Sequence, residues 1–345
     1  MDTAIKLTEY SKHGGCGCKI APDVLTQILS GNNCSFNSAQ LLVGNDSNDD
    51  AAVFDLQNGT AIISTADFFT PIVDDPYHFG RIAAANALSD VYAMGGKPLM
   101  AIAILGFPVS RIPVSVAAEI KKGAEEICAG AGIPLAGGHS IDSAEPFFGL
   151  SVTGMSACEN IKRNNTAQPG DVLFLTKPLG TGIITSALRK QKVQPDDLEA
   201  AIQSMTTLND MGAAISHLPG VHAMTDITGF GFLGHLMEVC KGSNVSAHIQ
   251  FNELPVLPGC KKYISEFLYP DMTTKIFANI SNDVNELTSD QLFIACDPQT
   301  SGGLLIAVGH DSVQKFKDIC AERGFNPGNP VGVVVEKEEK YISVF

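Results

Sequence analysis

Short hydrophobic segments with two different periodicities, in irregular order, most constrain how this chain of 345 residues can fold. Residues 51–56 (AAVFDL) and 60–66 (TAIISTA) have strand patterns, and the Asn58-Gly59 pair between them is a strong hairpin signal. The same half of the chain then shows helical spacing over about 77–94 and 114–130 and strand patterns over 99–107, 133–138 and 147–157. Since strands and helices do not alternate strictly, we expect α+β domains with mixed or antiparallel sheets and helices packed on one sheet face.

A polar segment without periodicity, residues 159–171 (ENIKRNNTAQPGD), is the best candidate for a domain boundary because it ends in Pro-Gly. Beyond it, strand patterns are expected at 172–177, 221–224, 244–251, 291–295, 302–308 and 331–336, and helices at 180–190, 195–216, 231–242 and 311–323. We therefore expect a mobile arm over 1–20, an N-terminal domain over 21–158, a linker over 159–171 and a C-terminal α+β domain over 172–345.

Composition limits the classes of ligand. The hydrophobic content of 45% is enough for two cores. A formal net charge of −14 gives no long-range attraction to nucleic acid or to an anionic membrane, so we expect neither as a partner. A polyanionic ligand must therefore be held locally, by backbone amides, a few lysines or a divalent cation bound by carboxylates.

The N-terminus has no apolar signal core, and no segment reaches the roughly 20 apolar residues that span a bilayer. The nine cysteines are scattered except for Cys16 and Cys18, which argues against a secreted disulfide framework. These features predict a cytoplasmic protein.

The segment HGGCGCK, residues 13–19, is the first candidate for chemistry. Its glycines allow close approach of a ligand, Cys16 offers a thiolate nucleophile, and Lys19 is a cation that can serve both the thiolate and a phosphate. A metal-binding or redox pair formed by Cys16 and Cys18 is the alternative. Structural zinc is disfavoured because no second cysteine pair completes a tetrahedral site.

Dispersed aspartates at predicted strand ends and on one helix are the second candidate: Asp49, Asp50, Asp67, Asp90 and Asp226. Mg²⁺ prefers hard oxygen ligands and reaches phosphates through only a few carboxylates, so such acids suit metal-bound ATP. Taken singly, an aspartate of this kind is more often a solvated turn residue or a helix cap. Asn86 and Asp90 share one face of the predicted helix, and this polar pair would be costly to bury without a ligand or an ion.

Three glycine-rich turns are the third candidate: residues 137–142 (GGHSID), 225–235 (TDITGFGFLGH) and 297–305 (DPQTSGGLL). Each can present backbone amides to an anion, although a purely structural turn is the alternative for each. The signature loop of P-loop nucleotide hydrolases and the GxSxG turn of serine hydrolases are absent from the sequence.

Six segments in order resemble the motif set of the selenophosphate synthetase family, which lies within the aminoimidazole ribonucleotide synthetase-like superfamily. They are HGGCGCKI, VGNDSNDDAAVF, the run from STADFF to MGGKP, LAGGHSID, AMTDITGFGFLGH and CDPQTSGGLL, between about residues 6 and 306. The wider superfamily shares the aspartates but lacks the Cys-Gly-Cys-Lys arm, so the arm favours the selenium enzyme.

The resemblance implies a role for each matching residue. By the resemblance, Cys16 is the catalytic cysteine and Lys19 contacts ATP phosphates. The metal ligands are Asp50, Asp90 and Asp226. The other nucleotide contacts are Ser47, Asn48, Asp49, Asp67, Asp90, Gly138, His139 and Ser140. The segment around His139 is expected to reach ATP bound mainly by the other subunit of a homodimer, in which the first-domain sheets pair.

The implied reaction converts ATP, selenide and water into selenophosphate, orthophosphate and AMP with Mg²⁺, and a selenium-delivery protein is a candidate partner. Two alternatives stay open. One is another ATP-dependent kinase or ligase of the same superfamily, and the other is a carrier of selenium or a metal that uses the two cysteines without hydrolysing ATP.

Overall fold

The computed structural model describes residues 5–11, 14–15, 28, 38–44 and 49–345. Four of the predicted site residues, Cys16, Lys19, Ser47 and Asn48, lie outside the described residues, as does Cys18.

The first half forms a six-stranded sheet with the order β1-β2-β3-β6-β4-β5. Its strands are β1 (Leu41–Val43), β2 (Ala52–Asp55), β3 (Thr60–Phe69), β4 (Lys97–Phe107), β5 (Leu135–Asp142) and β6 (Phe147–Ala157), and its helices are α1 (Pro76–Ala93) and α2 (Val114–Gly130). Strands β4 and β5 pair in parallel and the other neighbours are antiparallel. A mixed sheet is therefore present, as predicted.

Local sequence explains where these elements begin and turn. The β2–β3 hairpin is confirmed: the strands pair antiparallel, Gly59 has a φ of 84°, and the Asn58 side chain accepts a hydrogen bond of 3.0 Å from the Thr60 N–H. Helix α1 begins after Asp75, whose carboxylate accepts from the His78 N–H at 2.8 Å, and Pro76 occupies its first position. It ends before Gly95, which has a φ of 74°.

Helix α1 fills the space between the two halves. It packs against β3, β6 and α2, and its small residues Ala83, Ala84, Ala85 and Ala87 are fully or almost fully buried. The opposite face of the first sheet carries no helix among the described residues and exposes large apolar side chains. The prediction of helices on one sheet face is thus confirmed for this half.

The second half forms another six-stranded sheet, with the order β12-β9-β11-β7-β10-β8. Its strands are β7 (Val172–Leu175), β8 (Val221–Asp226), β9 (Ser246–Ile249), β10 (Leu304–Val308), β11 (Gly332–Val335) and β12 (Ile342–Val344). Its helices are α3 (Thr181–Arg189), α4 (Pro195–Thr206), α5 (Met211–Ile215), α6 (Gly231–Ser243), α7 (Cys260–Ser265), α8 (Asp271–Ile280), α9 (Ser289–Ala295) and α10 (Val313–Glu322).

Two local predictions for this half are wrong. Residues 291–295 lie in helix α9 and not in a strand, because Thr288 and Gln291 form a capping box that starts a helix there. The single helix predicted over 195–216 is instead two helices, α4 and α5, separated at residues 207–210. The remaining strand and helix patterns fall on elements of the predicted type, while α7, α8, β1 and β12 were not predicted.

The two halves pack directly on each other through α1, which contacts α4, α5 and β8. The Asn209 amide donates to the Ser89 hydroxyl at 2.8 Å and to the Gly302 carbonyl at 2.9 Å, and Asn209 and Ser89 are both buried. Within the described part of the chain, no helix is long and apolar enough to cross a membrane.

Candidate active site

Aspartates from both halves of the molecule share one electrostatic environment. Asp50 precedes β2, Asp90 lies near the end of α1, and Asp226 is the last residue of β8 in the second sheet. Burial raises the pKa of Asp50 well above its ordinary value, and the neighbouring carboxylates Asp226, Asp90 and Asp49 raise it further. The structure therefore brings together three predicted metal ligands and the neighbouring Asp49.

Threonine hydroxyls orient two of these carboxylates. The Thr225 hydroxyl donates to Asp50 Oδ1 at 3.0 Å, which lowers the Asp50 pKa slightly against the larger raising effects. On the first sheet, the Thr65 hydroxyl donates to Asp90 Oδ2 at 2.5 Å. The second oxygen of Asp50 is buried and has no hydrogen-bond partner among the described residues. A buried carboxylate oxygen in this state is poised to accept a cation.

Asp67 is connected to the second half through Asn86, which is fully buried in α1. The Asn86 amide donates to Asp67 Oδ2 at 2.6 Å, and its carbonyl oxygen accepts from the Ser301 N–H at 2.8 Å. Asn86 and Asp90 thus share one face of α1, as predicted, and they bind side chains two residues apart on β3: Asn86 binds Asp67 and Asp90 binds Thr65.

Asp49 has a structural contact as well as its place near Asp50. Its Oδ1 accepts from the Asn164 N–H at 2.8 Å, which ties the loop before β2 to the segment between the two sheets. This contact supports the alternative interpretation, in which Asp49 is a structural turn residue. Asp49 Oδ2 could still bind a ligand.

Lys177, which sequence reasoning missed, is buried next to this acidic group. Burial lowers its pKa to about 7, whereas the negative charge of Asp226 opposes that shift. Its Nζ donates to the Thr207 carbonyl at 2.6 Å and to the Ser301 carbonyl at 3.0 Å. The usable signal was a lysine that directly follows a buried strand and precedes the glycine turn at 178–182.

The backbone amides near the turn at 297–303 are bound by its own side chains and are not open to an anion. The turn instead connects to the amino-terminal end of α3. The side-chain amide oxygen of Gln299, Oε1, accepts from the Gly180 and Thr181 N–H groups at 3.1 and 3.2 Å. This side chain therefore occupies the amino-terminal end of α3. Asp297 Oδ2 accepts from the Gly182 N–H at 3.0 Å, and burial raises the Asp297 pKa to about 8. The structural reading of this motif is therefore the one that the described contacts support.

The described part of the predicted arm is held at its base. The Gly15 N–H donates to the Thr70 carbonyl at 3.0 Å, and Gly15 has a φ of 58°. Arg189, at the end of α3, donates to the Ser11 carbonyl at 3.2 Å and to the Pro71 carbonyl at 3.1 Å. Both halves of the molecule thus contact the residues just before Cys16, and Arg189 is a second residue that sequence reasoning missed.

The remaining predicted nucleotide contacts lie apart from the acids, on the exposed edge strand β5. Gly138, His139 and Ser140 pair with Ala103, Ile104 and Leu105 of β4, and all three are exposed. A Cβ at Gly138 would collide with the Ala103 carbonyl, so only glycine fits there.

No group of three or more His, Cys, Asp or Glu side chains among the described residues is arranged to hold a metal ion by itself. Asp226, Asp90 and Asp49 are close enough to Asp50 to raise its pKa, and these carboxylates still need further ligands to complete a coordination shell. Oxygens of a bound phosphate chain are the kind of ligand that commonly completes a Mg²⁺ shell.

Family models match both halves of the chain. Residues 48–156 match the N-terminal domain of AIR synthase related proteins, and residues 168–345 match the C-terminal domain. The chain is also 50% identical over 337 residues to a selenide, water dikinase of Yersinia pseudotuberculosis, covering 98% of this chain and 97% of that protein. A selenide, water dikinase of Pseudomonas putida is 49% identical over 344 residues, covering 100% of both chains.

The chain belongs to the selenide, water dikinase family.

Solved structures agree with the family's fold. Thiamine-monophosphate kinase from Stenotrophomonas maltophilia superposes with a TM-score of 0.65 at 17% identity, covering 93% of this chain and 94% of that one. A HypE–HypF complex contains a chain with a TM-score of 0.67 at 19% identity, covering 94% of this chain and 95% of that one. These similarities confirm the predicted AIR synthase-like α+β fold of this selenide, water dikinase family member.

Proposed function

We infer that this protein is a selenide, water dikinase, which converts ATP, selenide and water into selenophosphate, orthophosphate and AMP. Relatives that carry this name align with nearly the whole chain at about half identity. The structural observation that carries the proposal is the hydrogen bond of 3.0 Å from Thr225, next to Asp226 in the second half, to Asp50 in the first half. The raised pKa of Asp50, caused in part by Asp226 and Asp90, is consistent with it. Cleavage of two phosphoryl bonds develops charge on several oxygens, and a divalent-cation centre is suited to neutralise that charge.

The proposed Mg²⁺ ligands are Asp50, Asp90 and Asp226, with ATP phosphate oxygens completing the coordination shell. Two observations support such a cation: Asp50 Oδ2 is buried without a hydrogen-bond partner among the described residues, and the charges of Asp226, Asp90 and Asp49 raise the Asp50 pKa. A bound cation would relieve both. When bound, Mg²⁺ would supply charge neutralisation at the phosphates. Thr65 and Thr225 orient the carboxylates, and Asn86 holds Asp67 beside them as a proposed nucleotide contact.

The arm is proposed to supply the selenium chemistry. By the family resemblance, Lys19 contacts the phosphates and Cys16 takes part in the selenium step, with Ser47, Asn48 and Asp49 as further nucleotide contacts. The two described glycines before Cys16 support this proposal, because contacts from both halves hold them in place. The arm thus starts from a defined point.

A homodimer is the proposed assembly, with residues 138–140 reaching ATP held mainly by the partner. The uncovered face of the first sheet supports it. Strand pairing places six large apolar residues on that face, each more than a third exposed: Phe54, Phe68, Met100, Ile102, Ile141 and Met155. A second copy would bury such a face, and β5 offers an edge for pairing.

We also propose a linker at 159–171 between domains at 21–158 and 172–345, supported by the two separate sheets and the two family-model matches. The cytoplasmic location stays a prediction, as does a selenium-delivery partner.

The decisive experiment is phosphorus NMR of the purified protein with ATP, Mg²⁺ and selenide under anaerobic conditions. We expect selenophosphate, orthophosphate and AMP in equal amounts. The Asp226→Asn variant should lose at least about 100-fold in turnover, because removing one charged group from a phosphoryl-transfer centre has effects of this order. Asp318→Asn, at an exposed position on α10, is the matched control.

Formation of ADP without selenophosphate would instead favour a simple kinase of the same superfamily. Binding of selenium without hydrolysis of ATP would favour a carrier. Full activity in Asp226→Asn would remove that residue from the proposed centre.

A further inference from the structure

A cavity of about 190 Å³ lies beside the base of the arm. Helix α3, the start of α8 and the turn after residue 297 enclose it. Its lining consists of Gly14, Ile72, Gly182, Thr185, Ser186, Arg189, Pro270, Asp271, Met272, Lys275, Pro298 and Thr300. It is thus built from both halves of the molecule and from the segment that leads to Cys16.

The chemistry of the lining favours a small anion. Lys275 and Arg189 bring two positive charges and Asp271 brings one carboxylate. The negative charges of Asp74 and Glu145 also act on Arg189, so Lys275 is the cation that matters most for a ligand. Ser186 adds a hydroxyl, while Ile72 and Met272 with two prolines form apolar walls. A weakly hydrated anion gains from nearby cations and loses little on contact with apolar and thioether groups.

The size of the cavity excludes the nucleotide. Sites that enclose a drug-sized ligand usually measure about 300–1,000 Å³, whereas this cavity measures about 190 Å³. A water molecule takes up about 30 Å³ in the liquid, so a few atoms and their hydration fit here and ATP does not.

The cavity is connected to the acidic centre by a short run of contacts. Thr300 lines it and lies so close to Gly15 that a Cβ there would collide with the threonine hydroxyl. The next residue, Ser301, donates its N–H to Asn86, which in turn binds Asp67. The cavity is therefore lined by Gly14, two residues before Cys16, and is linked through these contacts to Asp67, a proposed nucleotide contact.

We propose that this cavity binds the selenium substrate as the hydrogen selenide monoanion before the transfer step, with Lys275 as a binding residue at its rim. The proposal rests on the function inferred above. The same chemistry would suit orthophosphate, the other small anion of the reaction, and the experiment separates the two.

The test compares Lys275→Met, which removes the charge and keeps the stem, with Lys275→Arg, which keeps the charge. Lys315→Met, at another exposed helical lysine, controls for the change in net charge. The KM for sodium selenide, the KM for ATP and the inhibition constant for added orthophosphate are measured anaerobically. Loss of one exposed charge contact corresponds to roughly a three- to fivefold change in affinity.

We expect Lys275→Met to raise the selenide KM roughly three- to fivefold and to leave the ATP KM and the inhibition constant for orthophosphate unchanged. Lys275→Arg and Lys315→Met should have a selenide KM near that of the wild type. Ser186→Ala should act in the same direction. An unchanged selenide KM in Lys275→Met would overturn the proposal, and weaker inhibition by orthophosphate alone would assign the cavity to phosphate. If the wild-type protein makes no selenophosphate, the proposed function fails instead, which is a separate result.

Discussion

Asp50 is a residue whose charge costs stability at the site where we propose that it binds a metal ion. Its carboxylate is partly buried, one oxygen lacks a hydrogen-bond partner among the described residues, and three other carboxylates act on it. Because its pKa is raised in the folded protein, the charged form costs stability at every pH above the ordinary carboxyl range. Without a bound cation, the site is therefore a source of strain in the fold.

Replacing Asp50 with Asn should stabilise the metal-free protein and eliminate turnover. The neutral amide keeps the shape and can accept from Thr225, while the repulsion with Asp226 and Asp90 disappears. We expect Tm to rise by about 2–4 °C near pH 7, which corresponds to about 1 kcal/mol. Thermal denaturation without divalent cation measures it.

Mg²⁺ with an ATP analogue should raise the Tm of the wild type and have little effect on Asp50→Asn. Asp196→Asn, at an exposed position in α4, is the control and should behave as wild type. A variant that is less stable than wild type without metal would show that Asp50 is a structural residue.

At the level of elements, Gly14 and Gly15 fix the backbone at the base of the arm. Gly15 adopts a left-handed φ of 58°, its N–H binds the Thr70 carbonyl, and the Thr300 hydroxyl leaves no room for a Cβ. A Cβ at Gly14 would lie 2.5 Å from the Arg189 guanidinium and 2.6 Å from the Pro71 carbonyl. The two glycines thus set the direction in which the chain continues toward Cys16.

Gly15→Ala should therefore lower selenophosphate formation at least about tenfold, since small displacements of reacting groups have effects of this order or larger. ATP affinity should fall by a smaller factor, because the carboxylates proposed to hold the metal stay in place and only the proposed Lys19 contact lies on the arm. Steady-state kinetics and a nucleotide-binding titration measure the two quantities.

Gly132→Ala is the matched control, because Gly132 also has a positive φ, 75°, and an added Cβ there meets no atom within 4 Å. Both variants should lose about 1 kcal/mol of stability from backbone strain. Gly15→Ala should lose more because of the collision with Thr300, and only Gly15→Ala should lose turnover. If Gly15→Ala and Gly132→Ala lost turnover equally, the proposal that Gly14 and Gly15 position the arm for catalysis would be wrong.

At the scale of the whole molecule, the face of the first sheet that no described helix covers is a large exposed apolar surface. It lies opposite the face covered by α1 and α2, and it presents apolar side chains from β2, β3, β4, β5 and β6. Patches of this kind on a folded protein commonly mark an interface. The edge position of Gly138, His139 and Ser140 gives the proposed dimer a functional reason, because residues so far from the acids would need a partner's site to act in.

Ile102→Glu, in the centre of this face, should convert the protein from dimer to monomer and reduce activity at least about tenfold. A charge buried in an apolar interface typically costs several kcal/mol. Since each 1.4 kcal/mol weakens association about tenfold, a cost of about 4 kcal/mol would turn a nanomolar dimer into one that dissociates at micromolar concentration. Analytical ultracentrifugation together with the AMP assay measures both effects.

Val333→Glu, on the second sheet, is the control, since Val333 and Ile102 are 41% and 44% exposed. A wild-type protein that sediments as a monomer, or an Ile102→Glu dimer, would contradict the proposed assembly.

Much of the fold could be read from local sequence. The hairpin at Asn58-Gly59, the bounds of α2 and β6, and the α+β class follow from turn chemistry and hydrophobic period, which act over a few residues. Residues 291–295 show where this reading fails: a short apolar run fits a strand or a helix equally, and the capping box at Thr288 decides.

The sequence by itself determined the type of most elements in the described part of the chain, and which carboxylates, glycines and lysines are available for the proposed metal and phosphate contacts. Only the tertiary structure decided that Asp50 meets Thr225 across 175 positions, and that Arg189 reaches Ser11 across 178. Lys177 joined the centre in the same way, through Ser301. The physical reason is that such contacts depend on α1 packing between the two sheets, and no local periodicity encodes the distance between residues brought together by that packing.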